Sequence, residues 1–298
     1  MAVPIEITIL GSGSAIPTLK RKHPAILLKY EGDYMLFDCG ECAQLALQRA
    51  KVSPLKIRRV FITHWHADHF AGLIPLIETM HMLGRKDALE IYAPEAEWFV
   101  EKIMDLSYWR FGFGIRGMSV SLEEVQKIVE EKRYEIYSIP VRHSVPAVGY
   151  IFREKDHWKI IPSRLKKFGI KGERVQELKE KRVLKVGGKT VRIEDVAKRV
   201  EGRKIAYSGD TLAFEEFFKA CENAELVIHD ATFLEPEKGR MHACIKEVCE
   251  YAKKYGIKKL VLTHFSKRYR DEKTLRKTAK SFFPSSLLAR DGLKIVVK

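Results

Sequence analysis

Four side chains able to ligate a metal fall within six residues, His64-Trp65-His66-Ala67-Asp68-His69, directly after the apolar run Val60-Phe61-Ile62-Thr63. One face of a regular strand cannot carry His64, His66, Asp68 and His69 together, and burying such groups unpaired is costly. The chain must therefore fold so that a loop leaving a strand aims them at a common partner. Imidazoles suit zinc, and a carboxylate adds a hard anionic ligand. Three more groups of this kind stand just past apolar runs: His143 after Ile139-Pro140-Val141-Arg142, Asp210 after Ile205-Ala206-Tyr207-Ser208-Gly209, and His264 after Leu260-Val261-Leu262-Thr263. Singly, His143 also reads as a capped turn residue and Asp210 as a helix N-cap. Together the seven suffice for two metals with an open position for water.

The pattern around them is that of an α/β chain. Ile7–Leu10 ends in the turn cluster Gly11-Ser12-Gly13-Ser14, and Ala25–Leu28 and Tyr34–Asp38 flank a hairpin signal at Glu31-Gly32-Asp33. Later strands are expected at Leu89–Ala93, Tyr134–Val141, Val148–Phe152, Lys204–Ser208, Leu226–His229 and Leu260–Thr263. Helical patterns cover Gly72–Leu83, Glu95–Leu106, Leu122–Glu131, Phe214–Cys221 and Ile245–Tyr255. Strands and helices mixed in this way imply sheets covered by helices. The apolar runs are strand-sized, far short of the ~20 residues that span a bilayer, so no membrane association is expected. No secretory leader is evident. Five cysteines suggest no disulfide framework, and a reducing cytoplasm fits best.

Charge is uneven. The chain carries 54 Lys or Arg against 39 Asp or Glu, a net +15. From Arg153 to Lys204 the balance is 18 against 8, so this stretch holds two thirds of the excess. Such a footprint favours a polyanionic partner, nucleic acid before an anionic membrane. The alternative is a charge-rich protein from a hot environment. Turn signals at Phe168-Gly169 and Gly187-Gly188 make the stretch read as a basic insertion projecting from the core. Trp158 and Phe168 within it are expected to pack rather than stack on a ligand.

Thr63-His64-Trp65-His66-Ala67-Asp68-His69, His143, Ser208-Gly209-Asp210-Thr211 and Thr263-His264 occur in the order found in hydrolases of the metallo-β-lactamase fold, and the chain resembles that superfamily. Within it the chain is similar to ribonuclease Z, the transfer RNA 3′-processing endonuclease. The matching residues include Leu36-Phe37-Asp38-Cys39-Gly40-Glu41, His229-Asp230-Ala231-Thr232-Phe233 and Ser266 with Arg268-Tyr269. The resemblance implies a four-layer αββα sandwich, one domain over 1–298, with an arm inserted over about 153–201. It implies two zinc ions per subunit, with manganese or iron as substitutes. His64, His66 and His143 would hold the first ion, Asp68, His69 and His264 the second, and Asp210 would bridge them. A shared hydroxide would attack a phosphodiester, with Asp68 as proton acceptor and His242 as proton donor. Asp230 or His229 would support these groups. The arm would clamp precursor transfer RNA, with Lys166, Lys167, Lys171, Arg174, Lys181 and Arg182 as candidate contacts, in a homodimer. The chain departs from the family at Arg21-Lys22, at Gly40-Glu41-Cys42-Ala43-Gln44, at Lys171-Gly172-Glu173 and at Ala243-Cys244. The alternative function is hydrolysis of a small substrate (a phosphodiester, lactone or thioester) on the same fold. Cys39 and Cys42 read as small residues packed beside the site rather than as a redox pair.

Overall fold

A computed structural model describes residues 3–106, 108, 111–269 and 271–298. The chain opens with β1 (Ile5–Gly11), β2 (Ala25–Tyr30), β3 (Asp33–Phe37), α1 (Ala43–Arg49), β4 (Ile57–Phe61), α2 (Ala67–Phe70), α3 (Leu73–Met82), β5 (Leu89–Ala93), α4 (Ala96–Asp105) and β6 (Ile115–Ser119). Next come β7 (Gln126–Glu130), β8 (Tyr134–Pro140), β9 (Val148–Glu154), β10 (His157–Ile160), α5 (Pro162–Lys167), α6 (Glu173–Lys181), β11 (Val183–Val186), β12 (Lys189–Arg192), α7 (Ile193–Val196) and β13 (Ala197–Val200). The last third runs β14 (Lys204–Tyr207), α8 (Glu215–Ala220), β15 (Leu226–Asp230), α9 (Ile245–Lys254), β16 (Leu260–Thr263), α10 (Glu272–Phe282), β17 (Ser286–Leu288) and β18 (Lys294–Val297).

Contacts divide the chain into two compact units. The larger takes in the chain up to Glu130, Ile136–Phe152 and Lys204–Lys298. Its first sheet has the order β18-β1-β2-β3-β4-β5-β6 and its second β17-β16-β15-β14-β9-β8-β7. The hairpin between β2 and β3 turns on Glu31 and Gly32, whose φ angles of 50° and 95° match the twist of the flanking strands. From β3 to β6, and from β14 to β17, neighbouring strands are parallel, so their carboxyl ends share one edge. The inner faces meet through aromatic rings. Phe37, Phe61 and Tyr92 of the first sheet stack in a row at 4.9 and 5.2 Å, and Tyr150 of the second sits 5.3 Å from Phe61. The Tyr150 hydroxyl is buried and donates to the carbonyls of Ile62 and Tyr92.

Helices cover both outer faces. Leu47, Leu76, Ile77 and Val100 of α1, α3 and α4 pack on Val60 and Ile91. On the other side, α9 buries Ile245, Val248, Cys249 and Ala252, an i, i+3, i+4, i+7 stripe, against the core of α8, α10, β15 and β16. These are the four αββα layers of the metallo-β-lactamase fold.

The smaller unit comprises Glu131–Glu135 and Arg153–Arg203, against the 153–201 expected for the arm. It has its own core of Ile170, Leu178, Leu184, Val191, Ile193, Val196 and Ala197, with Trp158 and Phe168 packed against it. Two antiparallel pairs, β10 with β13 and β11 with β12, frame that core. The second pair turns on Gly187-Gly188, both at positive φ. At the base, Arg203 grips Glu154 with two hydrogen bonds of 2.7 and 2.8 Å, and both side chains are buried. This geometry is bidentate, and removing either partner would strand a buried charge.

One predicted helix is wrong. Leu122–Glu131 forms a loop followed by strand β7. Leu122, Val125 and Val129 have helical spacing, yet Leu122 and Val125 are exposed and Val129 alone of the three is buried. Sheet pairing at the edge position beside β8 overrides the local period.

Candidate metal centre

The shared edge formed by the strand carboxyl ends carries the seven groups. His64 leaves β4, His143 follows β8, Asp210 follows β14 and His264 follows β16. The cluster after β4 converges because its backbone changes character within it. His66 is the extended N-cap of α2, while Asp68 and His69 lie in that helix's single turn. A neighbouring loop holds this segment in place. The Cys39 N–H donates to the His69 carbonyl at 2.7 Å, and the Gly72 N–H donates to the Cys39 carbonyl at 2.9 Å. At Gly40 a Cβ would stand 2.3 Å from the Asp68 carbonyl oxygen, so only glycine allows this approach. Cys39 is fully buried here, packed as expected, and all five cysteines are free.

Two donor sets result. In the first, His64 Nε2 and His143 Nε2 lie 2.9 and 3.2 Å from His66 Nδ1. In the second, the oxygens of Asp68 and Asp210 surround the ring nitrogens of His69 and His264, and all four residues are buried. Asp210 Oδ1 is 3.3 Å from His69 Nε2, while its Oδ2 is 3.2 Å from His264 Nε2 and 4.0 Å from His64 Nε2. Asp210 thus faces both sets.

Buried partners fix the tautomers. His69 Nδ1 donates to Asp38 Oδ2 at 2.6 Å, and His143 Nδ1 donates to the Met241 carbonyl at 3.0 Å. Thr63 Oγ1 donates to Asp38 and so accepts from His64 Nδ1 at 3.0 Å. Thr232 Oγ1 donates to Asp230 Oδ1 and accepts from His264 Nδ1 at 2.8 Å. Each of these four rings therefore turns its Nε2 toward the centre, as metal-ligating histidines do. Burial, and then the neighbouring His69, pushes His64 well below the ordinary histidine value, keeping it neutral. Burial opposes ionisation of Asp210, but the adjacent His264 and His69 hold it far below the carboxylate range. His69 Nε2 is buried without a well-formed hydrogen bond; burial disfavours a charged ring, but Asp210 and Asp38 outweigh it and hold His69 well above the ordinary histidine value, so a cation at this point would take the place of its proton. The donor set fits a divalent metal.

The sequence reading missed Asp38 as a functional side chain. It is fully buried at φ 55°, with oxygens that accept from Thr63, His69 and Tyr207. Its signal was available, since it too is a polar residue just past an apolar strand. Asp230 lies beside the donors as expected, but His229 does not. Its ring packs face to face on Phe218 at 5.1 Å, inside the outer helical layer.

His242 stands at the rim of the second set. Its Nδ1 donates to Asp230 Oδ2 at 2.8 Å and lies 3.9 Å from Asp210 Oδ2. Burial disfavours its charged form, but the Asp230 hydrogen bond and the charges of Asp230 and Asp210 together outweigh that and push it up to about 9. The ring is a reservoir for one proton beside the donors.

Two family profiles match parts of the chain: that of the anti-Pycsar protein Apyc1 over residues 5–106 and that of the beta-lactamase superfamily domain over residues 170–265. The chain is 37% identical to a ribonuclease Z from Pyrococcus horikoshii, an alignment covering 99% of this chain and 96% of that protein. It is 36% identical to a ribonuclease Z from Methanosarcina acetivorans over 98% of each. Among solved structures it is similar to the short form of human tRNase Z, with TM-score 0.70, 25% identity, and 97% and 98% of the two chains covered. The metallo-β-lactamase fold protein YhfI from Bacillus subtilis superposes with TM-score 0.70 at 20% identity over 99% of this chain and 100% of that one, a likeness of fold.

Proposed function

The chain belongs to the ribonuclease Z family, and from that premise we propose that it is a metal-dependent endoribonuclease that removes the 3′ trailer of precursor transfer RNA. The observation that carries this reading is the pairing of an intact seven-residue donor set with His242 beside it, its Nδ1 held 2.8 Å from Asp230 Oδ2. We assign His64, His66 and His143 to one ion, Asp68, His69 and His264 to a second, and Asp210 to both. Zinc suits three imidazoles best, and manganese or iron would compete according to supply. Two such cations, when bound, lower the pKa of water and neutralise charge on a reacting phosphate.

The protein's own groups move the protons. Asp68, with its carboxylate 3.4 Å from His264 Nε2, accepts a proton from the attacking water. His242 donates to the leaving 3′ oxygen. With Nδ1 committed to Asp230, the ring offers Nε2 for that transfer.

Substrate is held by the arm. Lys166, Lys167, Lys171, Arg174, Lys181 and Arg182 are all exposed. Lys181 pairs with Glu177 at 2.9 Å, and Arg182 lies over the Trp158 ring at 5.9 Å. Lys166 and Lys167 stand exposed in the last turn of α5, open to RNA phosphates. A homodimer working in the cytoplasm completes the reading, and no helix among the described residues is long and apolar enough to cross a membrane.

The test is cleavage of a 3′-extended precursor transfer RNA by metal-loaded protein, with the product end mapped beside a chelated control. One chelator-sensitive cut next to the discriminator base is expected. No cut, with brisk turnover of a small phosphodiester or ester, would transfer the site to a small substrate.

A further inference from the structure

A second cationic feature lies outside the arm. Between α10 and the edge strand β17 runs a groove lined by Arg276, Lys280, Ser286 and Arg290, with Ala279, Leu287, Leu288 and Leu293 as its apolar remainder. Its volume is about 170 Å³, enough for one phosphate group with its water. Arg276, Lys280 and Arg290 are exposed, and no acidic residue lines the groove.

The nearest acids in sequence are already engaged. Glu272, at the start of α10, pairs with Arg21 at 2.7 Å. Asp291, next to Arg290, accepts from the Ser12 N–H and hydroxyl and from the Lys22 N–H and ammonium. Lys280 Nζ reaches a carbonyl, that of Pro284, at 3.4 Å. Among the described residues no ion pair neutralises the three cations. Ser286 adds an independent mark. It is 3% exposed, and its Oγ is buried without any hydrogen-bond partner. A buried hydroxyl without a partner calls for an explanation, and a water or ion bound in the groove is one.

The groove also has a place in the fold. β17 runs parallel to β16 with Leu288 opposite Leu262, so Arg290 follows β17 at the edge where His264 follows β16. We propose that this groove is a backbone-phosphate site for the RNA strand that enters the metal centre, separate from the arm. This rests on the endoribonuclease reading above. Arg276 and Lys280 lie one turn apart on α10 and present a paired cationic face, as phosphate recognition requires. The contact reads backbone rather than base, so it carries affinity without sequence preference.

The experiment compares wild type with R276A/K280A/R290A on precursor transfer RNA, on an acceptor-stem minihelix and on a small chromogenic phosphodiester. The variant is expected to raise KM for both RNAs roughly tenfold, with kcat unchanged, and to flatten the log KM against log salt slope by about two units. Turnover of the small diester stays as in wild type, which shows that fold and metals are intact. Ser286→Ala is expected to raise KM for the RNAs a few-fold. Inorganic phosphate is titrated as a competitor, and inhibition of minihelix cleavage that vanishes in the triple variant supports the site. If wild type cleaves RNA and the triple variant matches it in KM and salt slope, the groove is not a phosphate site. If wild type cleaves no RNA, the endoribonuclease reading fails first, and the groove proposal falls with it.

Discussion

The metal centre and the arm solve opposite problems with the same kinds of side chain. At the centre, His69, Asp210, His264 and Asp38 are buried and locked by neighbours, and each polar atom is aimed. In the arm, seven apolar residues form a small core and, the buried Arg203–Glu154 pair apart, most of the charged ones are exposed. Burial gives the first region direction and strong electrostatics. Exposure gives the second reach and a long-range field. Chemistry and substrate capture should therefore be separable by mutation.

The largest effect should come from Asp210→Ala. It removes a group that faces both donor sets, so metal content by atomic emission and turnover of RNA and small diester alike should collapse, the latter by more than about a thousandfold. Retained turnover would remove the bridging role. Replacing 153–203 by a short linker should cut transfer RNA cleavage by on the order of a hundredfold and spare the small diester. Equal loss of both would mean that the two regions are not separable. His242→Ala should leave the metals bound and lower kcat on RNA by about a hundredfold, and full activity would dismiss it as the acid. The mildest change is Lys166→Ala with Lys167→Ala. Their loss should flatten the salt dependence of transfer RNA binding by about two units at unchanged kcat, measured by filter binding from low to moderate salt.

Much of this is legible because four of the seven candidate ligands obey one local rule, a polar residue just past an apolar strand, while His66, Asp68 and His69 show themselves by crowding into the same six residues as His64. His64, His143, Asp210 and His264 were found that way. Asp38 obeys the same rule and was passed over, because its role appears only when His69 and Tyr207, distant in sequence, meet its two oxygens. The arm showed itself as a run of charge. Its fold did not, because Leu178, Leu184, Val191 and Val196 are too scattered among lysines to set a period. The misread stretch at Leu122 shows the reverse case, a clear local period overruled by a sheet edge that no window of sequence contains.

Asp230 has a consequence for anyone comparing variants. Its two oxygens hold His242 directly, His264 through Thr232, and the backbone of Thr211 next to Asp210. Losing this one carboxylate would release three positions at once, so Asp230→Asn combined with His242→Ala should cost far less than the two separate losses added together. Such a position leaves little room for gradual change. Drift at Asp230 should be tolerated only when His242 and Thr232 change with it, so natural variation at these three sites should be inherited as a block.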